Sequence, residues 1–155
     1  MTQDRKQPQP VASDIRRAGE WQQATESCVL DYDARFIRRK RLETQQGTGF
    51  LVDLAQTVSL DHGDAFVLNT GALIEVIAAS EALIEVRGTD LVRLAWHIGN
   101  RHAPCQIAPD RLLVQREKVM QDMLEKLGAD LREVEEPFSP EGGAYGMGRT
   151  HGHAH

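Results

Sequence analysis

From residue 80 to 136 the apolar pattern keeps changing its period, and the order of those changes is the tightest constraint on how this chain folds. "SEALIEV" alternates as a strand does, with Ile84 and Val86 facing a core. "TDLVRLAWHIGN" then puts Leu91, Leu94, Ala95 and Ile98 on one helical face. Thr89 is a fair N-cap, and Asp90 suits the positive end of the helix dipole. Gly99-Asn100 ends the pattern, as a left-handed C-terminal cap would. "CQIA" and "RLLV" read as two short strands separated by Pro109-Asp110. Val119, Met120, Met123, Leu124 and Leu127 form a second helical stripe, stopped by Gly128, and "ADLREVEE" reads as a last strand. The order β-α-β-β-α-β is that of a ferredoxin-like domain, with both helices on one sheet face.

Upstream the pattern is β throughout. "SCVLDY" and "GFLVDL" are short apolar runs, and "SLDHGDAFVLNTGALIEV" reads as strands broken by the turn signals "DHGD" and "NTG". Residues 25–78 are therefore predicted to form a small all-β domain. "ALIEV" occurs twice, at 72–76 and 82–86; two copies are too few for a repeat array, so each is read as one strand. Residues 1–24, rich in Gln and Pro, read as a flexible leader, and residues 137–155, rich in Gly and Pro, as a flexible tail with no packed element. The fold class is α+β: a β domain at 25–78, a ferredoxin-like domain at 80–136, and a histidine-bearing tail.

Charge narrows the function. Lys plus Arg number 18 and Asp plus Glu 23, a net charge of −5. That balance, with few aromatics, argues against nucleic-acid and membrane-surface binding. No apolar run approaches the roughly 20 residues needed to span a bilayer, and "MTQDRKQPQPVASD" lacks the apolar core of a signal peptide. The expected location is the cytoplasm, where Cys28 and Cys105 are reduced thiols. "RFIRRKR" (35–41) carries five positive charges and reads as a solvated strand or turn face, with docking of an acidic partner second.

The histidines carry the chemistry. His151, His153 and His155 alternate with small residues, so a flexible chain can wrap them around one metal ion; a solvated tail or tag remnant is the plain alternative. His102 lies off the apolar stripe of the first helix, ahead of Pro104. On pattern alone it is either a solvated loop residue or, if two chains meet there, a ligand presented twice by a two-fold axis. His97, beside Trp96, reads as a helix-surface or hydrogen-bonding histidine, and His62 as structural. Cys105 stands three residues after His102, but a small buried thiol in a strand is the simpler reading. A Cys105–His102 nucleophile pair would need an orienting third group, and none is apparent. Phosphate-loop, dinucleotide and metalloprotease motifs are absent, so the chain is not read as an enzyme.

"HIGNRH" (97–102), followed by proline and "QI", closely resembles the H-[LI]-G-N-R-H signature of the urease accessory metallochaperones, the UreE family, and "EEPFSPEGGAYG" (135–146) resembles that family's C-terminal lead-in. The similarity covers about residues 27–155. It implies a cytoplasmic homodimer that carries Ni(II) to the urease apoenzyme together with other accessory proteins, among them a GTPase. It implies a peptide- or partner-binding N-terminal β domain and dimerisation through the ferredoxin-like domain. It further implies that His102 binds metal at the dimer interface with its two-fold mate, and that His151, His153 and His155 complete or load the site. Zn(II) or Cu(II) would suit the same ligands. Unlike some members, the chain has no histidine in "LLVQREKV", and its tail is short, which argues against extra surface sites and bulk nickel storage. A chaperone-like scaffold, in which metal only stabilises the dimer, is the rival reading.

Overall fold

Alternation sets the first six strands. A computed structural model of the chain describes residues 9–142, with β1 (Val11–Arg16), β2 (Glu26–Leu30), β3 (Phe36–Glu43), β4 (Gly49–Ser59), β5 (Ala65–Leu68) and β6 (Leu73–Ala78) in its first half. They form one sheet in the order β2-β6-β5-β1-β4-β3. Along β4, Phe50, Val52 and Leu54 are buried while Leu51 and Asp53 are only partly covered, the two-residue period of a strand with one face in a core. Phe50 meets Phe66 of β5 edge-to-face, ring centroids 5.4 Å apart. Ile74 and Val76 close the same core. The turns read as "DHGD" and "NTG" are real: Gly63 and Gly71 hold φ of 91° and 90°, where a side chain is strained.

The flexible leader expected at 1–24 is overturned from Val11 onward, and residues 1–8 lie outside the described residues. β1 lies inside the sheet, parallel to β4 and antiparallel to β5, with Ala12 fully buried. Beyond it, the buried Asp64 carboxylate accepts from Ala18 N (2.9 Å), Asp61 N (2.8 Å) and the Arg17 guanidinium (2.8 Å). Trp21 Nε1 donates to Gly63 O at 2.9 Å. Polar side chains thus hold a segment whose composition suggested no structure. Arg35, counted among the solvated charges of "RFIRRKR", is also buried: it donates to the carbonyls of Leu30 (2.9 Å) and Leu60 (3.2 Å). Arg38, Lys40 and Arg41 are exposed as expected.

The chain divides into two units after Ala78. The second contains β7 (Ser80–Arg87), α1 (Leu91–Asn100), β8 (Gln106–Ile107), β9 (Leu112–Gln115), α2 (Lys118–Lys126) and β10 (Asp130–Pro137). Its sheet runs β10-β7-β9-β8, every neighbouring pair antiparallel. Ile84, Val86, Leu112 and Val114 from the strands pack with Leu94 and Ile98 of α1 and Met120 and Leu124 of α2 in one core. Each of the two helical stripes therefore finds the same sheet. Val119 is the exception, exposed rather than packed. Phe138 is fully buried, so the segment after β10 is not wholly free of packing as its composition suggested.

Because this core is drawn entirely from residues 84–131, a chain beginning at Ser80 should fold by itself. Circular dichroism should show mixed α/β content and a cooperative thermal transition; a disordered spectrum would mean the unit depends on the strands before it.

Candidate metal centre

The geometry around His102 starts with the end of α1. Asp90, not Thr89, is the N-cap, its carboxylate accepting from Arg93 N at 3.1 Å. The helix runs through Gly99 and Asn100, so these residues are not the left-handed cap expected of them. The left-handed residue is instead His102, with φ of 59°. Its N–H donates to Gly99 O at 2.8 Å, and Ala103 N donates back to Ile98 O at 3.4 Å. This pair of bonds is a Schellman motif with His102 at the position where glycine is usual. Ala103 packs against the core containing Ile98, the apolar contact that accompanies the motif.

His102 is exposed. Among the described residues it is the only non-glycine residue with positive φ. A histidine kept at that angle costs about 1 kcal/mol against glycine, and such strain concentrates at functional positions. The C-terminal end of a helix carries partial negative charge, so a cation held there is favoured by the dipole.

Beside His102 is a cavity of about 210 Å³, also lined by Ala95, Gly99, Cys105, Ile107 and Glu141. A Cβ built on Gly99 would meet nothing within 4 Å, so this side of α1 is open to close approach. Val92, Trp96 and Ile107 are 83%, 63% and 53% exposed. Val92, Ala95, Trp96 and Gly99 fall at i, i+3, i+4 and i+7, a second apolar stripe on α1 beside the buried one.

His97 stands apart from that cavity. It meets Trp96 edge-to-face at 5.0 Å between centroids and lines a separate groove with Val119, Asp122, Met123 and Lys126 of α2. His62 accepts from Ala78 N at 3.0 Å through Nδ1, in keeping with a structural role. Cys105 is part of the core periphery. Burial, and next the Glu141 carboxylate, push its thiol up to about 11, which favours the protonated form. Burial does the same to Cys28, also to about 11. Among the described residues no three His, Cys, Asp or Glu side chains come together as a metal site. His151, His153 and His155 lie outside the described residues. Glu141 on the cavity wall was missed by sequence reasoning; its one signal was the "EEPFSPEGG" segment that carries it.

The chain thus consists of two units, the second presenting an exposed histidine at a left-handed helix end with exposed apolar surface beside it. The chain matches the family model described as the UreE urease accessory protein, N-terminal domain, over residues 8–79, and that for the C-terminal domain over residues 81–155. It is 66% identical to the urease accessory protein UreE of Ruegeria pomeroyi over 146 residues, covering 94% of this chain and 98% of the relative. It is 56% identical to that of Cereibacter sphaeroides (94% and 80% covered) and 54% identical to that of Rhodobacter capsulatus (93% and 92%). The chain belongs to the UreE family of urease accessory proteins, and it is not an enzyme. Among the described residues no helix is long and apolar enough to cross a membrane.

Proposed function

We propose that the chain is a cytoplasmic nickel carrier that delivers Ni(II) to the urease apoenzyme, working as a homodimer with other urease accessory proteins, including a GTPase. The observation that carries this reading is His102: exposed, fixed at a left-handed helix end, and set beside an apolar stripe that leaves room for a second copy. A two-fold axis there presents two imidazoles from rigid backbone. Two imidazoles leave coordination positions open, which His151, His153 and His155 fill and vacate; exchangeable ligands suit cargo, whereas a closed four-ligand site suits structure. Zn(II) or Cu(II) would compete for the same donors. His97, in its own groove, has a structural role. The second unit is read as ferredoxin-like, supported by its antiparallel order β10-β7-β9-β8, and the first as a peptide- or partner-binding domain.

Calorimetry with Ni(II) alone, beside native mass spectrometry, tests this on the full chain and on a chain ending at Arg149. The full chain should bind as a dimer, and the shortened chain should keep a tight event but lose stoichiometry. A ligating imidazole must be neutral, and an ordinary histidine titrates near 6.5, so affinity should fall from about pH 7.5 to 5.5. A dimer that takes up no Ni(II) at micromolar concentration removes the reading.

A further inference from the structure

The basic run at 35–41 is a feature that the metal-carrier reading leaves unused. β3 carries it as the last strand of the first sheet, with β4 as a strand neighbour on one side only. Of the eight residues of β3 Ile37 alone is buried, and Arg38, Arg39, Lys40 and Arg41 are exposed in succession. A strand with one face in a core buries every second residue, so from Arg38 to Arg41 both faces and the free edge lie open. The register shifts between Ile37 and Arg39; beyond it Lys40 stands opposite Val52, while Arg39 and Arg41 stand opposite Asp53 and Leu51. Cations therefore project from both faces of the strand. Asp53 holds Arg39 at 2.9 Å, but Arg38, Lys40 and Arg41 have no carboxylate partner among the described residues. Charge guards a sheet edge against aggregation, yet a guard needs only a charge or two of either sign. Three unneutralised cations side by side repel one another, in a chain whose net charge is −5. A guard alone gives no reason to gather one sign here against the balance of the whole chain.

We propose that the free edge of β3 docks an acidic, extended segment of a partner protein, which adds as a further strand with its carboxylates on Arg38, Lys40 and Arg41. The proposal rests on the reading of the first unit as a partner-binding domain and names its surface and the chemistry of its partner. Main-chain bonds to an open edge hold any extended segment, and the cations select the sign of its charge. Phe36, 40% exposed at the head of the strand, adds apolar contact. A short acidic segment meets only the local positive field, because charges more than about 10 Å away are screened. A nucleic acid would use the cations but not the edge, and an aromatic content of 5% gives its bases little to stack on.

The probe is a fluorescein-labelled peptide of alternating Glu and Thr, eight residues long to match β3, titrated with the full chain by fluorescence anisotropy. The full chain should bind it, and binding should weaken as salt rises from about 0.05 to 0.5 M. Arg38→Gln, Lys40→Gln and Arg41→Gln together should weaken binding at least about tenfold, the combined effect of three modest surface pairs. Arg39→Gln, whose charge Asp53 already holds, should weaken it less. The same peptide methylated at every backbone nitrogen keeps its charge but cannot donate ladder bonds, and it should bind far more weakly. Thermal unfolding and Ni(II) uptake of the triple variant should match those of the unaltered chain, which separates lost docking from a lost fold. Undiminished binding by the triple variant, or tighter binding of a Lys-Thr peptide, leaves the first unit a peptide binder and overturns the acidic docking edge. Equal binding of the methylated peptide overturns strand addition, and with it the proposal. A single-stranded RNA that binds as tightly as the peptide and loses as much in the triple variant makes β3 a general polyanion site and overturns the protein partner. No binding of either peptide overturns the partner-binding reading and the edge together.

Discussion

If the chain is the nickel carrier proposed above, His102→Ala should remove the tight nickel-binding event and leave only loose uptake by the tail. If the two-fold mate supplies the second imidazole, one substitution deletes both preorganised ligands of a dimer. The remaining histidines, His151, His153 and His155, must then order their own chain to bind. Fixing backbone costs roughly 1–2 kcal/mol per residue, so fixing two or three residues costs about 3–5 kcal/mol. At 1.4 kcal/mol per tenfold, the expected loss is at least about 100-fold. Dimerisation of the metal-free chain should survive, since the apolar stripe of Val92, Ala95 and Trp96 is untouched. His102→Gly adds a second readout. It should bind Ni(II) as poorly as His102→Ala but be the more stable of the two by about 1 kcal/mol, because glycine accepts a φ of 59° without a Cβ penalty. Calorimetry and thermal unfolding measure both. Wild-type affinity in His102→Ala, with binding abolished by ending the chain at Arg149, would place the site in the tail alone.

His102 was legible as an oddity but not in its geometry. The sequence shows a helix stripe, then Gly-Asn, then a histidine before proline, and glycine is the residue that usually takes the left-handed cap. The helix instead continues one residue past Gly99, because Ile98 is the last core residue and the Schellman bonds form on its carbonyl and that of Gly99. Periodicity found β7, α1, β9, α2 and β10 because each buries one face against the same core. It missed β1, where only Ala12 is wholly buried and charged residues share the strand. Phe138 was invisible for a related reason. Pro, Ser and Gly around it signal a loop, and its burial is decided by tertiary packing that local composition does not report. The ion pairs of Arg111 with Glu85 and Glu136 join residues 26 and 25 apart, beyond the reach of any local pattern.

Arg111→Ala should destabilise the second unit by roughly 2–3 kcal/mol, and the penalty should shrink in acid. Arg111 donates two bonds to Glu136 (2.8 and 2.7 Å) and one to Glu85 (2.8 Å), whose side chain is only 8% exposed. Charge-assisted bonds in a fork are the stronger kind, and a buried carboxylate that loses a partner keeps its desolvation cost. Glu85 would retain Arg87 at 3.0 Å, which keeps the expected loss below that of a wholly orphaned charge. The pH dependence follows from the carboxylates. Arg87 and then Arg111 hold the Glu85 carboxyl below the usual range, and Arg111 does so for Glu136. A carboxylate whose folded pKa is depressed contributes stability above its unfolded value, near 4.5, and loses that contribution as pH falls through the folded value. The gap between wild type and Arg111→Ala should therefore be full at pH 7 and smaller at pH 3, below the unfolded value. Arg111→Lys keeps the charge without the fork and should fall between the two. Urea unfolding at both pH values measures the gap; an unchanged gap would mean that Arg111 acts through the packing of its stem.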